Sequence, residues 1–331
     1  MQMKFRTAVV IPYFQRKEGV LRKCVTSAIE QKGVEDFEII IVDDVSPVTP
    51  ESEIQDIMTT HPEKIRIIKQ EKNMKQGRAR NRALDELRPE TEYVAFLDSD
   101  DEWTDDHLAH ALFALDKGYD YYFTDHYQLH QSVSAFERSQ KITIEDHPLI
   151  EGTDWLRVFS GDLFTQIIVG NLIGQSTLVY RAKKFPDIRY PIEFTITGEE
   201  YLFWMDLAKA TDKVVFSTQC ECRYGEGLNV YSATMWGHER AIEKIYDDMR
   251  YRKQIFERYE LNDIERNELN HRISGLRESF VREVLHRLTH GMPTKKQEMI
   301  NFIKMDPQAL VAFVPGTLSA LISMVKSKLG S

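Results

Sequence analysis

Three carboxylates fall within four positions at Asp98-Ser99-Asp100-Asp101, directly after the apolar run Val94-Ala95-Phe96-Leu97. A short apolar run of this kind reads as a central strand buried on both faces. Carboxylates are not tolerated in clusters inside such a strand, so they belong at its carboxyl end, where open α/β sheets bind ligands. Three acids on one tight turn repel one another unless a cation or a donor-rich ligand neutralises them. Oxygen ligands of this type suit Mg2+ or Mn2+, which commonly bridge to a phosphate. The plainer alternative is a solvated acidic turn with an aspartate capping the next helix.

The elements that must position this turn alternate regularly. Thr7 to Pro12 is a buried-strand pattern, Gly19 to Gln31 is helical, and Phe37 to Val42 is a second strand ending in Asp43-Asp44. A helix from Glu51 to about Thr60, a strand from Lys64 to Lys69 and a helix from Gly77 to Leu87 lead to the strand before Asp98. Alternation over about 100 residues argues for a parallel sheet with right-handed crossovers. The acids after the second and fourth strands then lie at one sheet edge. No Gly-x-Gly-x-x-Gly follows the first strand and no Gly-x-x-x-x-Gly-Lys occurs, which excludes the usual dinucleotide and P-loop signatures.

Further on, a helix is expected past Asp105-Asp106-His107-Leu108 to Lys117, a strand at Tyr119 to Phe123 and a polar loop or edge hairpin from about Gln128 to Pro148. Thr153 to Phe159 reads as a short helix capped by Thr153, Ser176 to Tyr180 and Lys213 to Ser217 as strands. Gly198-Glu199-Glu200 opens a helix acid-first, as the macrodipole prefers. Two long amphipathic helices, Met235 to Arg258 and Asp263 to Leu288, follow. The tail from Gln308 to Leu329 is apolar apart from Lys326 and Lys328, and reads either as packing helices or as an amphipathic foot on a membrane surface.

The formal net charge is −9 over 331 residues, which argues against non-specific nucleic-acid binding. The balance is uneven: residues from Trp236 onward carry about +3 and the rest about −12. Cys24, Cys220 and Cys222 suggest neither a disulfide framework nor a metal clip, consistent with a reducing compartment. Met1 to Arg6 runs straight into a strand without a signal-peptide pattern, so a cytoplasmic location is expected. No stretch of about twenty apolar residues exists to span a bilayer.

Taken together, Val9-Val10-Ile11-Pro12-Tyr13-Phe14, Phe37 to Ser46, Gly77 to Arg82 and Phe96 to Trp103 closely resemble the family 2 glycosyltransferases. The resemblance covers roughly residues 5 to 230. Within the family, Phe96 to Leu108 and Gly225-Glu226-Gly227-Leu228-Asn229 look most like bacterial exopolysaccharide glucosyltransferases of the succinoglycan-assembly type. The resemblance implies an inverting enzyme of GT-A fold: α/β, Rossmann-like, a mostly parallel sheet flanked by helices. Residues 1–232 would be the catalytic domain and 233–331 a helical extension, membrane-associating or dimerising.

Roles follow by position from that resemblance. Pro12, Tyr13 and Phe14 match the first loop, where an aromatic stacks on the nucleotide base. Asp44 matches the acid that accepts a hydrogen bond from the uracil ring. Arg80 and Asn81 match a segment near the base and diphosphate. Asp98, Ser99, Asp100 and Asp101 align with the Asp-x-Asp motif, either Asp100 or Asp101 holding the divalent cation. Glu200 stands where the family has its general base, usually an aspartate, and Glu199 precedes it. Glu199, Trp204 and Asn171 are weaker candidates for the acceptor side. The histidine many relatives carry is replaced near Gly225, with Arg223 or Glu226 as substitutes. The implied reaction moves a hexose from a UDP-sugar to a growing polysaccharide or lipid-linked oligosaccharide, at the cytoplasmic face of a membrane. A catalytically silent sugar-nucleotide-binding scaffold and a sugar-1-phosphate nucleotidyltransferase are the competing readings.

Overall fold

The computed structural model describes residues 5–226, 234, 236–293 and 295–311. The chain divides into two compact units: Met1–Ile192 with Phe203–Leu228, and Glu193–Leu202 with Asn229–Ser331.

In the first unit β1 (Thr7–Tyr13), α1 (Val20–Ile29), β2 (Phe37–Asp43), α2 (Pro50–Thr60), β3 (Ile65–Lys69), α3 (Gln76–Asp85) and β4 (Tyr93–Phe96) follow in strict alternation. β1 pairs in parallel with β2 and with β4, and β2 in parallel with β3. β1, β2 and β4 are buried throughout, which is why their sequences are apolar without alternation. One face of α1, Leu21, Cys24, Val25 and Ala28, packs into the core with Val9, Ile11, Ile39, Ile41 and Ala95. α2 starts where Thr49 accepts from the Ser52 amide at 3.3 Å, with Pro50 as its first residue and Glu51 and Glu53 in its first turn.

The first strand runs one residue beyond the expected proline. Pro12 pairs with Val42, whereas the β1–β4 ladder ends at Val10 and Phe96. The Val10 carbonyl accepts from Leu97, so Pro12, two residues on, turns its missing N–H to the side where the partner has already ended.

The remaining strands are β5 (Glu102–Trp103), β6 (Tyr121–Tyr127), β7 (Leu156–Val158), β8 (Val179–Tyr180) and β9 (Val214–Arg223). Among the described residues they complete a nine-stranded sheet of order β3-β2-β1-β4-β8-β6-β9-β5, with β7 also on β9. β8 is antiparallel to β4 and β6, while β6 and β9 are parallel. Strand order therefore reverses between β1 and β4, the switch point at which such sheets bind ligands. The helices here are α4 (His107–Asp116), α5 (Ala135–Ser139), α6 (Leu163–Gly170) and α7 (Glu199–Ala210), α7 being divided between the units after Leu202.

Thr153 to Phe159 is not the expected helix. Gly152 takes φ +85°, the Thr153 hydroxyl donates to the Ile150 carbonyl at 2.8 Å, and Leu156–Val158 pairs with Val215–Ser217 as β7. The loop expected from 128 to 148 contains α5, capped by Ser134. α6 was not anticipated.

The second unit holds α8 (Ala241–Arg258), α9 (Asp263–Thr289) and α10 (Lys296–Met305). Ile242, Met249, Ile273, Phe280, Val284 and Phe302 form its core. Asn262 and Glu265 make a reciprocal capping box at the start of α9. Among the described residues no helix is long and apolar enough to cross a membrane. Most of the apolar tail, and Gly227-Leu228-Asn229, lie outside the described residues.

Candidate active site

The Asp98–Asp101 turn leaves the carboxyl end of β4 at the switch point and is tied down on several sides. The Asp98 amide donates to Ser176 Oγ at 3.0 Å, and that hydroxyl donates to Asp101 Oδ2 at 2.5 Å. Asp101 Oδ1 accepts from the Gly225 amide at 3.1 Å. Gly225 must be glycine, because a Cβ there would lie 1.6 Å from the Asp100 carbonyl oxygen. Gln15 Nε2 donates to Ser99 Oγ at 3.1 Å, and Cys24 Sγ to the Asp98 carbonyl at 3.4 Å.

The carboxylates therefore have unlike surroundings. Asp101 is buried, and burial, then the neighbouring Asp100 and Asp98, pushes its carboxyl well above the ordinary range. Asp98 is partly exposed and pairs with the fully buried Arg80, Nη2 to Oδ1 at 2.6 Å. Asp100 is also partly exposed. Among the described residues no group of three or more His, Cys, Asp or Glu side chains is arranged as a metal cage. The turn does fit an ion shared with a ligand's phosphates, since Mg2+ of that kind takes only one or two protein carboxylates. Asp101 is bound on both oxygens and Asp98 on a guanidinium, and Asp100 lies partly exposed between them.

At the end of β2 the two acids divide their work. Asp43 Oδ1 accepts from the Ser46 amide at 2.8 Å, closing the turn. Asp44 Oδ1 accepts from Gln70 Nε2 and the Met74 amide, and Oδ2 from the Lys75 amide, at 2.6–2.8 Å. Burial raises the Asp44 carboxyl despite these amides. Val45 and Lys75 both sit at positive φ, 61° and 72°, a costly conformation for a β-branched residue above all. Asp44 thus shapes the loop that leads into α3. Pro12 and Tyr13 are buried strand residues, and burial pushes the Tyr13 phenol up to about 12. Only Phe14 of the three is partly exposed, with the Arg16 guanidinium 5.7 Å from its ring.

Arg80 and Asn81 meet Tyr190. The Arg80 guanidinium lies 5.3 Å from the Tyr190 ring, and the Asn81 amide exchanges two 2.8 Å hydrogen bonds with the Tyr190 backbone. The Tyr190 ring stacks on Phe203 at 3.9 Å, and its hydroxyl accepts from Gln175 Nε2 at 2.8 Å. Gln175 Oε1 in turn accepts from Trp204 Nε1 at 3.1 Å. Trp204 is 3% exposed and its indole N–H donates to Gln175. Asn171 spends its amide on Ile173, accepting from the amide and donating to the carbonyl, which closes its own loop.

Glu199 and Glu200 open α7 in the second unit, Glu199 buried and Glu200 half-buried. Near β9, Glu221 accepts from Tyr122 and faces Nδ1 of both His107 and His110. Burial opposes its charge, but the two histidines hold the carboxyl below the ordinary range. His126 is buried and stacks on Tyr224 at 4.8 Å, burial depressing its imidazole to about 4.

Ser176, Gly225, Gln15 and Tyr190 were not singled out as site residues. Ser176 and Gly225 lay within quoted motifs, but their partners are some 75 and 124 positions away.

Residues 8–171 match the family described as Glycosyl transferase family 2. The succinoglycan biosynthesis protein ExoW of Rhizobium meliloti is 31% identical over 235 residues, 68% of this chain and 70% of that protein. The S. aureus TarS structure in complex with UDP-GlcNAc superposes with TM-score 0.59 at 17% identity, covering 94% of this chain and 89% of that one. Against a longer TarS chain the TM-score is 0.57, and this chain spans 49% of its length. The mannosyltransferase PcManGT of Pyrobaculum calidifontis, in complex with GDP-Man and Mn2+, gives TM-score 0.58 at 12% identity over 99% and 81%. These structures share the GT-A architecture; the family match and the ExoW similarity place this chain in glycosyl transferase family 2, as a glycosyltransferase.

Proposed function

We propose that this enzyme transfers a hexose, with inversion, from a UDP-sugar to a hydroxyl of a growing polysaccharide or lipid-linked oligosaccharide. The carrying observation is the Asp98–Asp101 turn at the strand-order switch, with Asp101 locked by Ser176 and Gly225 and Asp100 partly exposed beside it. The succinoglycan relative and the neighbour holding UDP-GlcNAc support the donor and acceptor classes.

Glu200 takes the proton of the acceptor hydroxyl as its oxygen bonds to the anomeric carbon, and the bond from that carbon to the β-phosphate oxygen breaks. UDP leaves with the electron pair. Asp100 would hold Mn2+ or Mg2+, which when bound neutralises charge on the departing diphosphate. Phe14 stacks on the base, and Asp44, through the loop it shapes, borders the uracil site. We take residues 1–232 as the catalytic domain and 233–331 as a helical extension.

Thermal unfolding with UDP-glucose, UDP-GlcNAc and GDP-mannose, with and without Mn2+, tests this. A UDP-sugar should raise the midpoint only with Mn2+ present. Glu200→Gln should keep that protection and lower UDP release about 100-fold or more. No protection by any UDP-sugar would sink the donor, and full release by Glu200→Gln would remove it as base. Binding with no release, with or without saccharide, would instead favour a silent sugar-nucleotide-binding protein.

A further inference from the structure

One face of α8 is committed to the segment that carries the proposed base. Asp247, Arg250, Tyr251 and Gln254 recur at the spacing of a single helix face. All four grip residues 193–201, which belong to the same unit.

Asp247 is 3% exposed and sits in the helix interior, a poor place for aspartate unless its charge is used. Its Oδ2 accepts from the Thr195 amide at 3.0 Å, the Ile196 amide at 2.9 Å and the Thr195 hydroxyl at 3.2 Å. Arg250 Nη1 donates to the Glu193 carbonyl at 2.9 Å, and Gln254 Nε2 to Glu193 Oε1 at 2.8 Å. Gly198 takes φ +116°, and a Cβ there would lie 2.9 Å from both Tyr251 Cβ and a Phe194 ring carbon. Tyr251 then stacks on Tyr201, centroids 5.1 Å apart and planes at 16°. Glu199 and Glu200 lie between the Gly198 and Tyr201 contacts, so the first turn of α7 takes its position from α8.

We propose that Asp247, with Tyr251 one turn on, is a positioning residue for Glu200, so that the helical extension sets the aim of the base. This rests on the reading of Glu200 as base. An apolar residue at 247 would suit helix packing better; the three donors on one oxygen are what a loop anchor needs. A displacement near 1 Å at a reacting group costs about 100-fold in rate, which sets the expected effect.

The test uses the full chain and whichever UDP-sugar it turns over. Asp247→Asn and Gly198→Ala should each lower UDP release about 10- to 100-fold. UDP affinity and binding stoichiometry with Mn2+ should stay within about 2-fold, which a loss of folded protein would not allow. Amide hydrogen exchange should speed up across 195–201 in Asp247→Asn. Wild-type release by both variants, or release that falls only in step with UDP stoichiometry, overturns the inference. Wild-type release by Glu200→Gln instead overturns the base assignment, and exchange at 195–201 then decides the anchoring on its own.

Discussion

Asp100 and Asp101 are chain neighbours with unlike surroundings. Asp101 is buried and receives Ser176 Oγ and the Gly225 amide, while Asp100 is partly exposed. Asp101→Ala would leave the buried Ser176 hydroxyl and the part-buried Gly225 amide without an acceptor and should cost about 2 kcal/mol in denaturant unfolding. Asp100→Ala should cost under about 1 kcal/mol yet abolish the Mn2+-dependent part of UDP binding measured by calorimetry. The reverse pattern would exchange the two assignments. The acids themselves were legible, because carboxylates clustered behind an apolar strand must lie at its open end. What singles out one of them was not, because Ser176 and Gly225 reach the turn from distant segments. Trp204 is a related case: helical spacing places it on the Glu200 side of α7 but says nothing of Gln175, which takes its indole N–H.

At the scale of elements, the parallel half of the sheet was readable nearly to the residue, since β1, β2 and β4 are continuous buried runs. The end of β1 was misjudged because the cost of a proline depends on which neighbour its nitrogen would have faced. Thr153–Phe159 misled because Leu156, Arg157 and Val158 become a strand only through pairing with β9. β9 is also the element that closes the site, carrying the chain to Gly225 against the Asp100 carbonyl. Gly225→Ala should therefore move the backbone. We expect a loss of about 2 kcal/mol or more in stability together with lost donor protection in thermal unfolding. An alanine variant with both properties unchanged would show that this contact does not brace the turn.

For the whole molecule, histidines contribute to pH-dependent stability with opposite signs. His126 is depressed to about 4 by burial, so between about pH 6.5 and 4 the unfolded chain binds the proton that the folded chain refuses. Its contribution is present above about pH 6.5 and is lost as pH falls through that window, up to about 3 kcal/mol. His147 is lowered in the same sense. His110 is opposed by burial but raised overall by Glu221, so its contribution is present below about pH 6.5 and lost as pH rises through its folded value. His126→Phe, which keeps a ring against Tyr224, should flatten the fall in unfolding free energy between about pH 6.5 and 4. An unchanged slope would assign that fall to other groups.

The turn after β4 is held from α1, α3, the segment before β8 and the chain leaving β9. A turn fastened from four directions has little freedom to expand or contract around what it receives. Ionic radius then becomes a selection rule: a cation that needs bonds of about 2.0–2.1 Å and one that needs about 2.3–2.6 Å would not be interchangeable. Were a cation held there, exchanging Mg2+ for Ca2+ would have to be absorbed by the nucleotide, its waters and the Asp100 side chain rather than by the backbone of the turn.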